Sequence, residues 1–340
     1  MKKKDFLFVI PFTFCLLSHT QLLAQEKLHY WNDSENFLQD QASSVFEKAY
    51  RVFAAHPPSI NASDERKLAL LSLDMLLHDT RLDHGTAFMS YMKNIISDLL
   101  SELQKAKPTG KEIRIFRFYN HGFIVKTPTV TVGIDLVRGG NAAKPFINDT
   151  LMRSIVEQCD ILFVTHAHDD HADIAVVKMF CEQGKDVIVP NEIWKDMSSH
   201  VRILRGAELI CESIRLPAKN ASLTVQIYPG RQGNVLNNVY IITLPEGQTI
   251  IHTGDQDYTD DIIAKITDNT KVDVLLVQCW MIPMEKFVSG INPKLVISGH
   301  ENEMGHSIDH REAYWLTFRR MSTIKPPFVV MAWGESYSVQ

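Results

Sequence analysis

Nine residues limit this chain's folds more than any other stretch. ILFV, Ile161 to Val164, has the look of a strand buried on both faces, and it runs directly into THAHDDHAD, Thr165 to Asp173. Three histidines and three aspartates are interleaved there. Packing so many polar groups at a buried strand end carries a large desolvation cost unless something compensates it. A solvated polar loop is the plain alternative. A metal ion is the stronger one, because imidazoles and carboxylates are the donors that zinc and iron accept. Alternate residues of an extended segment point the same way, so His166 and His168 can converge on one ion. Asp170 and His171, on the following turn, can reach a second point nearby.

Two later segments repeat the arrangement. HTGD, His252 to Asp255, follows the strand-like QTII, and a carboxylate there can bridge two metals. SGH, Ser298 to His300, follows KLVI. Sites in open α/β sheets gather at the carboxyl ends of strands. Strand candidates alternate with helical stretches from Lys111 onward: ILFVT, DVIVP, LTVQIYP, NVYIITL, QTIIHTG, VDVLLVQ, KLVISG and FVVMAWG, with helices near Ala172 to Gln183, Asp260 to Thr267 and Asp309 to Arg320.

HxHxDH after one strand, GD after a second and a last His after a third resemble the metallo-β-lactamase fold hydrolases. The resemblance covers roughly Lys111 to Gln340. It implies an α/β fold, an αββα four-layer sandwich with two mixed sheets face to face and a dinuclear site in a cleft at one edge. By position it makes His166 and His168 ligands of one metal and Asp170, His171 and His300 ligands of the other, with Asp255 as the bridge. Asp170 is also the candidate to orient the attacking water. Asp135, in GID after an early strand, resembles the buried aspartate that orients such a site from behind the ligands.

One departure stands out. The family usually has another histidine roughly twenty residues before the GD aspartate. Here the segment is YPGRQGNVLNN, Tyr228 to Asn238, without a histidine. Gln232 or Asn234 is a weaker substitute, and His121 and His252 are the other histidines to consider. The expectation is one tight zinc and a second that is weak or absent, with iron or manganese as alternative metals. His306 and His310, in ENEMGHSIDHRE, are four apart and share a face if helical. They can line the pocket, supply a ligand or precede a helix capped by Asp309.

The segment before Lys111 has a helical period. Asp33 or Ser34 can cap one helix that stops before Pro57, and Ser63 can cap a second. That second helix carries KLALLSLDMLL, is apolar nearly all round and is expected to be buried. A third carries Phe88, Met92, Ile95, Leu99 and Leu103. Ahead of these lie Lys2, Lys3 and Lys4, the apolar run Phe6 to Leu17 and a small residue at Ala24. That pattern resembles a bacterial secretory signal peptide. The expected organisation is therefore a signal peptide over 1–24, an N-terminal helical region over 25–110 and a metallo-β-lactamase-like domain over 111–340. The mature protein is expected in the periplasm or outside the cell, without a stable membrane anchor.

The net charge of −5 carries no basic stripe, which argues against nucleic acid as a partner. Cys159, Cys181, Cys211 and Cys279 are scattered without a CxxC pair and are expected as buried thiols. No GxSxG motif supplies a serine nucleophile. The order of GxD, HxHxDH, HTGD and a late GH is similar to the lactonase-like and phospholipase-like branches. It implies a hydrolase of an ester, lactone or phosphodiester, acting on a small or lipid-like molecule. A redox protein holding iron in the same pocket, and a metal-binding protein without turnover, are the alternatives.

Overall fold

The computed structural model describes residues 30–191, 193–197, 201–204, 210–267 and 271–340. The charged and apolar segments of the expected signal peptide lie outside the described residues.

Three helices come first. α1, Ser34–Ala55, is capped by the Asp33 carboxylate, which accepts from the Asn36 N–H. α2, Asp64–Leu77, is capped by Ser63, and α3, Thr86–Lys105, stops short of Pro108. α1 buries Ala42, Phe46, Ala49 and Phe53 at helical spacing, and α3 buries Phe88, Met92, Ile96 and Leu99. α2 is not buried all round. It buries Arg66, Leu70, Leu73, Asp74 and Leu77, while Leu68 (63% exposed) and Met75 (73%) face solvent. Apolar content gave no indication of which face would be left open.

Among the described residues the remaining strands form two seven-stranded sheets and one small hairpin. The first sheet orders Ser336–Val339, Ile113–Arg117, Phe123–Lys126, Thr131–Ile134, Ile161–Phe163, Asp186–Pro190 and Val201–Leu204. The second orders Phe328–Val329, Leu295–Gly299, Val274–Gln278, Thr249–His252, Val235–Thr243, Ala221–Gln232 and Ile210–Leu216. Each is antiparallel at one end and parallel at the other. Strands that the sequence did not reveal are 201–204, 210–216 and 336–339; the last, SYSV, alternates Tyr337 and Val339 with serines but is a half-exposed edge of only four residues.

The sheets face each other across a dry core that includes Ile115, Phe123 and Phe163 from the first and Val225, Tyr240 and Ile297 from the second. The Tyr240 hydroxyl donates across this interface to the Val164 carbonyl at 2.7 Å. On the outer face of the second sheet pack α6, Asp260–Thr267, and α7, Met284–Ile291. On the outer face of the first pack α4, Asp149–Gln158, and α5, Ile174–Glu182, in one continuous core with α1, α2 and α3. The layers are helix, sheet, sheet, helix, as an αββα sandwich requires. α8, Tyr314–Met321, lies in the chain between the strands Leu295–Gly299 and Phe328–Val329 of the second sheet and rests against α2.

Polar contacts tie the N-terminal helices to the sandwich as firmly as the apolar ones. The fully buried Arg66 guanidinium donates to both carboxylate oxygens of Glu335, at 2.7 and 2.5 Å, and to the Val330 carbonyl at 3.0 Å. Removing one partner of such a pair leaves a buried charge unpaired. Arg66→Ala is expected to cost about 3 kcal/mol in urea unfolding, with α1–α3 and the sandwich still lost in one transition. A stable fragment beginning near residue 111 after limited proteolysis would show that the two parts fold apart.

Candidate metal centre

The site is assembled from four strand ends at one edge of the sandwich. Asp135 follows Thr131–Ile134 and takes a positive φ of 48°, uncommon for a residue with a Cβ. Its carboxylate accepts from the Thr165 N–H at 2.8 Å, from the Thr165 hydroxyl at 2.7 Å and from His171 Nδ1 at 2.8 Å. The last bond fixes the ring of His171. With Nδ1 engaged, Nε2 is the atom turned toward Asp170 and Asp255.

Asp255 Oδ2 is the hub. It lies 3.3 Å from His171 Nε2, 3.2 Å from His300 Nε2 and 3.8 Å from His166 Nε2. Asp170 Oδ2 faces the same point from the other side, 3.4 Å from His171 Nε2 and 3.2 Å from His300 Nε2. The donor atoms of Asp170, His171, Asp255 and His300 all lie within 4.8 Å of one another. Those of His166, His168 and Asp255 form a second such group, with His166 Nε2 and His168 Nδ1 3.1 Å apart. The six residues expected from the motifs are therefore brought together in two clusters that share Asp255.

Three supports were not evident in the sequence. Asn120 Nδ2 donates to both the carbonyl and the Oδ2 of Asp170, each at 3.0 Å. Asn237 Oδ1 accepts from the Asp255 N–H at 3.0 Å, while its Nδ2 donates to the Thr253 carbonyl. Gly254 makes that turn feasible. Its φ is +52°, and a Cβ there would sit 2.2 Å from Asn237 Oδ1 and 2.7 Å from Thr165 Cβ. His300 takes a φ of 77°, a strained backbone of the kind concentrated at functional sites.

Of the two amides considered for the missing histidine, the structure brings in Gln232. It ends the strand Ala221–Gln232, its Nε2 lies 3.2 Å from Asp255 Oδ2, and its Oε1 is buried without a hydrogen-bond partner. Asn234 sits exposed in the hairpin turn. His121 is fully buried, with Nδ1 3.7 Å from Asp255 Oδ1 and no hydrogen bond at either ring nitrogen. His252 turns away from the donors and engages the His121 carbonyl and the Gly254 N–H. His310 is exposed, on a short 3-10 turn at Ile308–His310, so it does not share a helical face with His306. Asp309 is not the cap of the next helix. α8 starts at Tyr314, and Asp74 of α2 accepts its first N–H groups.

The residues fit a cation. Nε2 of His171 and of His300, and Oδ1 of Asp255, are buried and make no hydrogen bond. Burial alone would raise the pKa of Asp255 and of Asp170, yet His171 and the other imidazoles outweigh it and hold both well below the usual carboxylate range. Burial would lower His300, yet Asp255 and Asp170 push it up to about 10. Two ionised carboxylates pressed together out of water demand positive charge, and N and O donors suit zinc, iron or manganese. Cys159 and Cys279 are buried as expected; Cys211 is exposed and Cys181 half-exposed, and none of the four forms a disulfide.

A family model described as a beta-lactamase superfamily domain matches residues 118–300, more than half of the chain. The chain belongs to the beta-lactamase superfamily. Its sandwich is the metallo-β-lactamase fold. Among curated proteins, the chain is similar to a "UPF0173 metal-dependent hydrolase" of Methanoculleus marisnigri, 27% identical over 208 residues, covering 57% of this chain and 87% of the relative. Among solved structures, Igni18, a metallo hydrolase of Ignicoccus hospitalis, aligns with a TM-score of 0.50 at 16% identity, over 68% of this chain and 99% of its own. A "possible metal-dependent hydrolase" of Veillonella parvula aligns with the same score and identity, over 68% and 100%. These likenesses bear on the fold. The superfamily match begins at residue 118, so α1, α2 and α3 lie outside it.

Asp170→Ala and His171→Ala are each expected to lose the tightly held metal while keeping the circular dichroism of the parent. Metal content read by mass spectrometry and unchanged in both would sink the ligand assignment. Gln232→His is expected to do the reverse and bring a second equivalent of zinc into tight binding, because imidazole is the better zinc ligand.

Proposed function

We propose that this protein is an exported metal-dependent hydrolase acting on an ester, lactone or phosphodiester. The observation that carries the reading is the convergence of Asp170, His171, Asp255 and His300 on one point, two carboxylates against two imidazoles whose facing nitrogens have no other partner. The curated relative's description as a metal-dependent hydrolase supports it. A divalent ion held there, zinc in the first instance, lowers the pKa of water toward neutrality and polarises a carbonyl or phosphoryl oxygen.

The chain's own residues then divide the work. His171, His300 and Asp255 would hold the cation, and Asp135 keeps His171 oriented toward it. Asp170 completes the set and orients the attacking water, with Asn120 holding its carboxylate in place. Asp255 balances charge between the two positions. His166 and His168 serve the first position with Gln232 as an amide neighbour, so that position is the weaker of the two.

The substrate is a small or lipid-like molecule, in line with a mildly acidic chain that lacks a basic stripe. The leader-like N-terminus supports a periplasmic or extracellular location. No helix among the described residues is long and apolar enough to cross a membrane.

Two measurements test this. Titrating the metal-free protein with zinc, against a panel of ester, lactone and phosphodiester substrates, is expected to bring turnover mostly with the first equivalent. Tight metal without turnover across the panel would instead favour a binding role. N-terminal sequencing of exported protein is expected to start near Gln25 or Glu26, and material still carrying Met1 would count against removal of the leader.

A further inference from the structure

His306 was singled out by the sequence but has no part in the donor set. Its position is informative. The ring stacks on His300 with centroids 5.4 Å apart and planes at 27°, and Nε2 lies 3.9 Å from Asp170 Oδ2. Yet it is not among the atoms that all lie within 4.8 Å of one another. It sits beside the ligands rather than with them. Its side chain is 36% exposed, against 1% for His300 and 0% for His171. His306 is therefore more open to solvent than His300 or His171 while lying beside Asp170. Trp280, half-buried, packs edge-on against His300 at 5.7 Å.

The loop that carries His306 is held from outside the sandwich. The His306 carbonyl accepts from Arg311 Nε at 2.9 Å. Arg311 also donates to the Leu77 carbonyl of α2, to the Met304 carbonyl, and with two nitrogens to Asp83. Asp74 of α2 accepts from Asn302 Nδ2 at 2.8 Å, from the Tyr314 N–H at 2.8 Å and from the Trp315 N–H at 3.1 Å. His78 spans the Asp74 and Arg311 carbonyls, each at 2.7 Å. Tyr119 donates to Glu303 and its oxygen accepts the Met304 N–H. Such bonds fix the loop before any ligand arrives, which is how a site lowers the ordering cost of binding.

We propose that His306 is a substrate-contacting residue, whose imidazole N–H receives an anionic oxygen of the substrate at the open side of the Asp170, His171, Asp255 and His300 cluster, and that α2 is the element that positions it. This rests on the hydrolase reading above and narrows it to substrates that carry an oxyanion beside the scissile bond, phosphodiesters before neutral esters or lactones. A neutral ester offers that N–H only a carbonyl oxygen, whereas a phosphoryl oxygen offers a charge-assisted bond.

Inorganic phosphate is the probe. The protein is loaded with cobalt(II), desalted, assayed for cobalt, and titrated with phosphate while the cobalt visible absorption is followed. His306→Ala is expected to keep the parent's cobalt content and to bind phosphate about tenfold more weakly, the loss of one hydrogen bond to a charged group. His306→Gln, which retains an N–H donor, is expected to recover part of the loss. Asp74→Ala, which frees the loop without touching the site, is expected to fall between. Phosphate affinity unchanged in His306→Ala overturns the proposal, as does loss of cobalt from that variant, which would make His306 a metal ligand. A parent protein that takes up no cobalt sinks the hydrolase reading and this inference together, whereas a loaded protein indifferent to His306 sinks only the inference.

Discussion

Two carboxylates, Asp170 and Asp255, are held against the same two imidazoles in a nearly dry part of the protein. Like charges so placed repel, and neither has bulk water to screen it. The surrounding structure can be understood as what is needed to hold them there. Asp135 and Thr165 fix the ring of His171, Asn120 fixes Asp170, and Asn237 with Gly254 fixes the turn that presents Asp255. Each of these supports arrives from a different strand or strand end. The site therefore exists only once both sheets have closed on each other, and the Tyr240 hydroxyl bond to Val164, beside the first motif, is part of that closure.

How much of this the sequence revealed follows from how local each feature is. The three ligand-bearing strand ends were legible because a buried apolar run followed at once by titratable residues is a contiguous signal. The helix caps at Asp33 and Ser63 were legible for the same reason. Asp74 was not. Its partners at Tyr314 and Trp315 lie 240 and 241 residues away, and no window of sequence joins them. Asp309 looked like the cap because it is close in the chain, but the cap came from another helix. The exposed face of α2 was misjudged because leucines and Met75 lie on both of its sides from Leu68 onward, and only the fold decides which side is covered. Gln232 stood between: its spacing marked the segment, but its preference over Asn234 depends on the hairpin, which ends the strand at Gln232 and leaves Asn234 in the exposed turn.

The helices ahead of the sandwich have a clearer purpose in this light. They share an apolar core with the outer face of the first sheet, and that alone would make them a stabilising layer. But Arg66, Asp74 and the Leu77 carbonyl reach past that layer to the segments that follow the last strands of the second sheet. The one that Asp74 and the Leu77 carbonyl hold begins one residue after His300. An element outside the superfamily match thus sets the backbone that borders the metal centre. Variation among members of this fold need not lie in the ligands, since a helix that clamps a bordering loop changes what the site can receive while leaving its chemistry intact.

The two groups of donor atoms are placed unequally about Asp255, the carboxylate they share. Asp255 Oδ2 faces His171 and His300 at 3.2–3.3 Å but His166 at 3.8 Å, so the shared carboxylate leans toward the second position. Gln232 brings an amide to the same carboxylate, and its Nε2 already donates to that oxygen. Its Oε1, buried without a partner, is the only atom of that amide able to accept a cation, and a neutral amide oxygen is a poorer zinc donor than imidazole. The asymmetry is therefore built from geometry and donor chemistry together, and of the two the donor is the part that a single substitution can change.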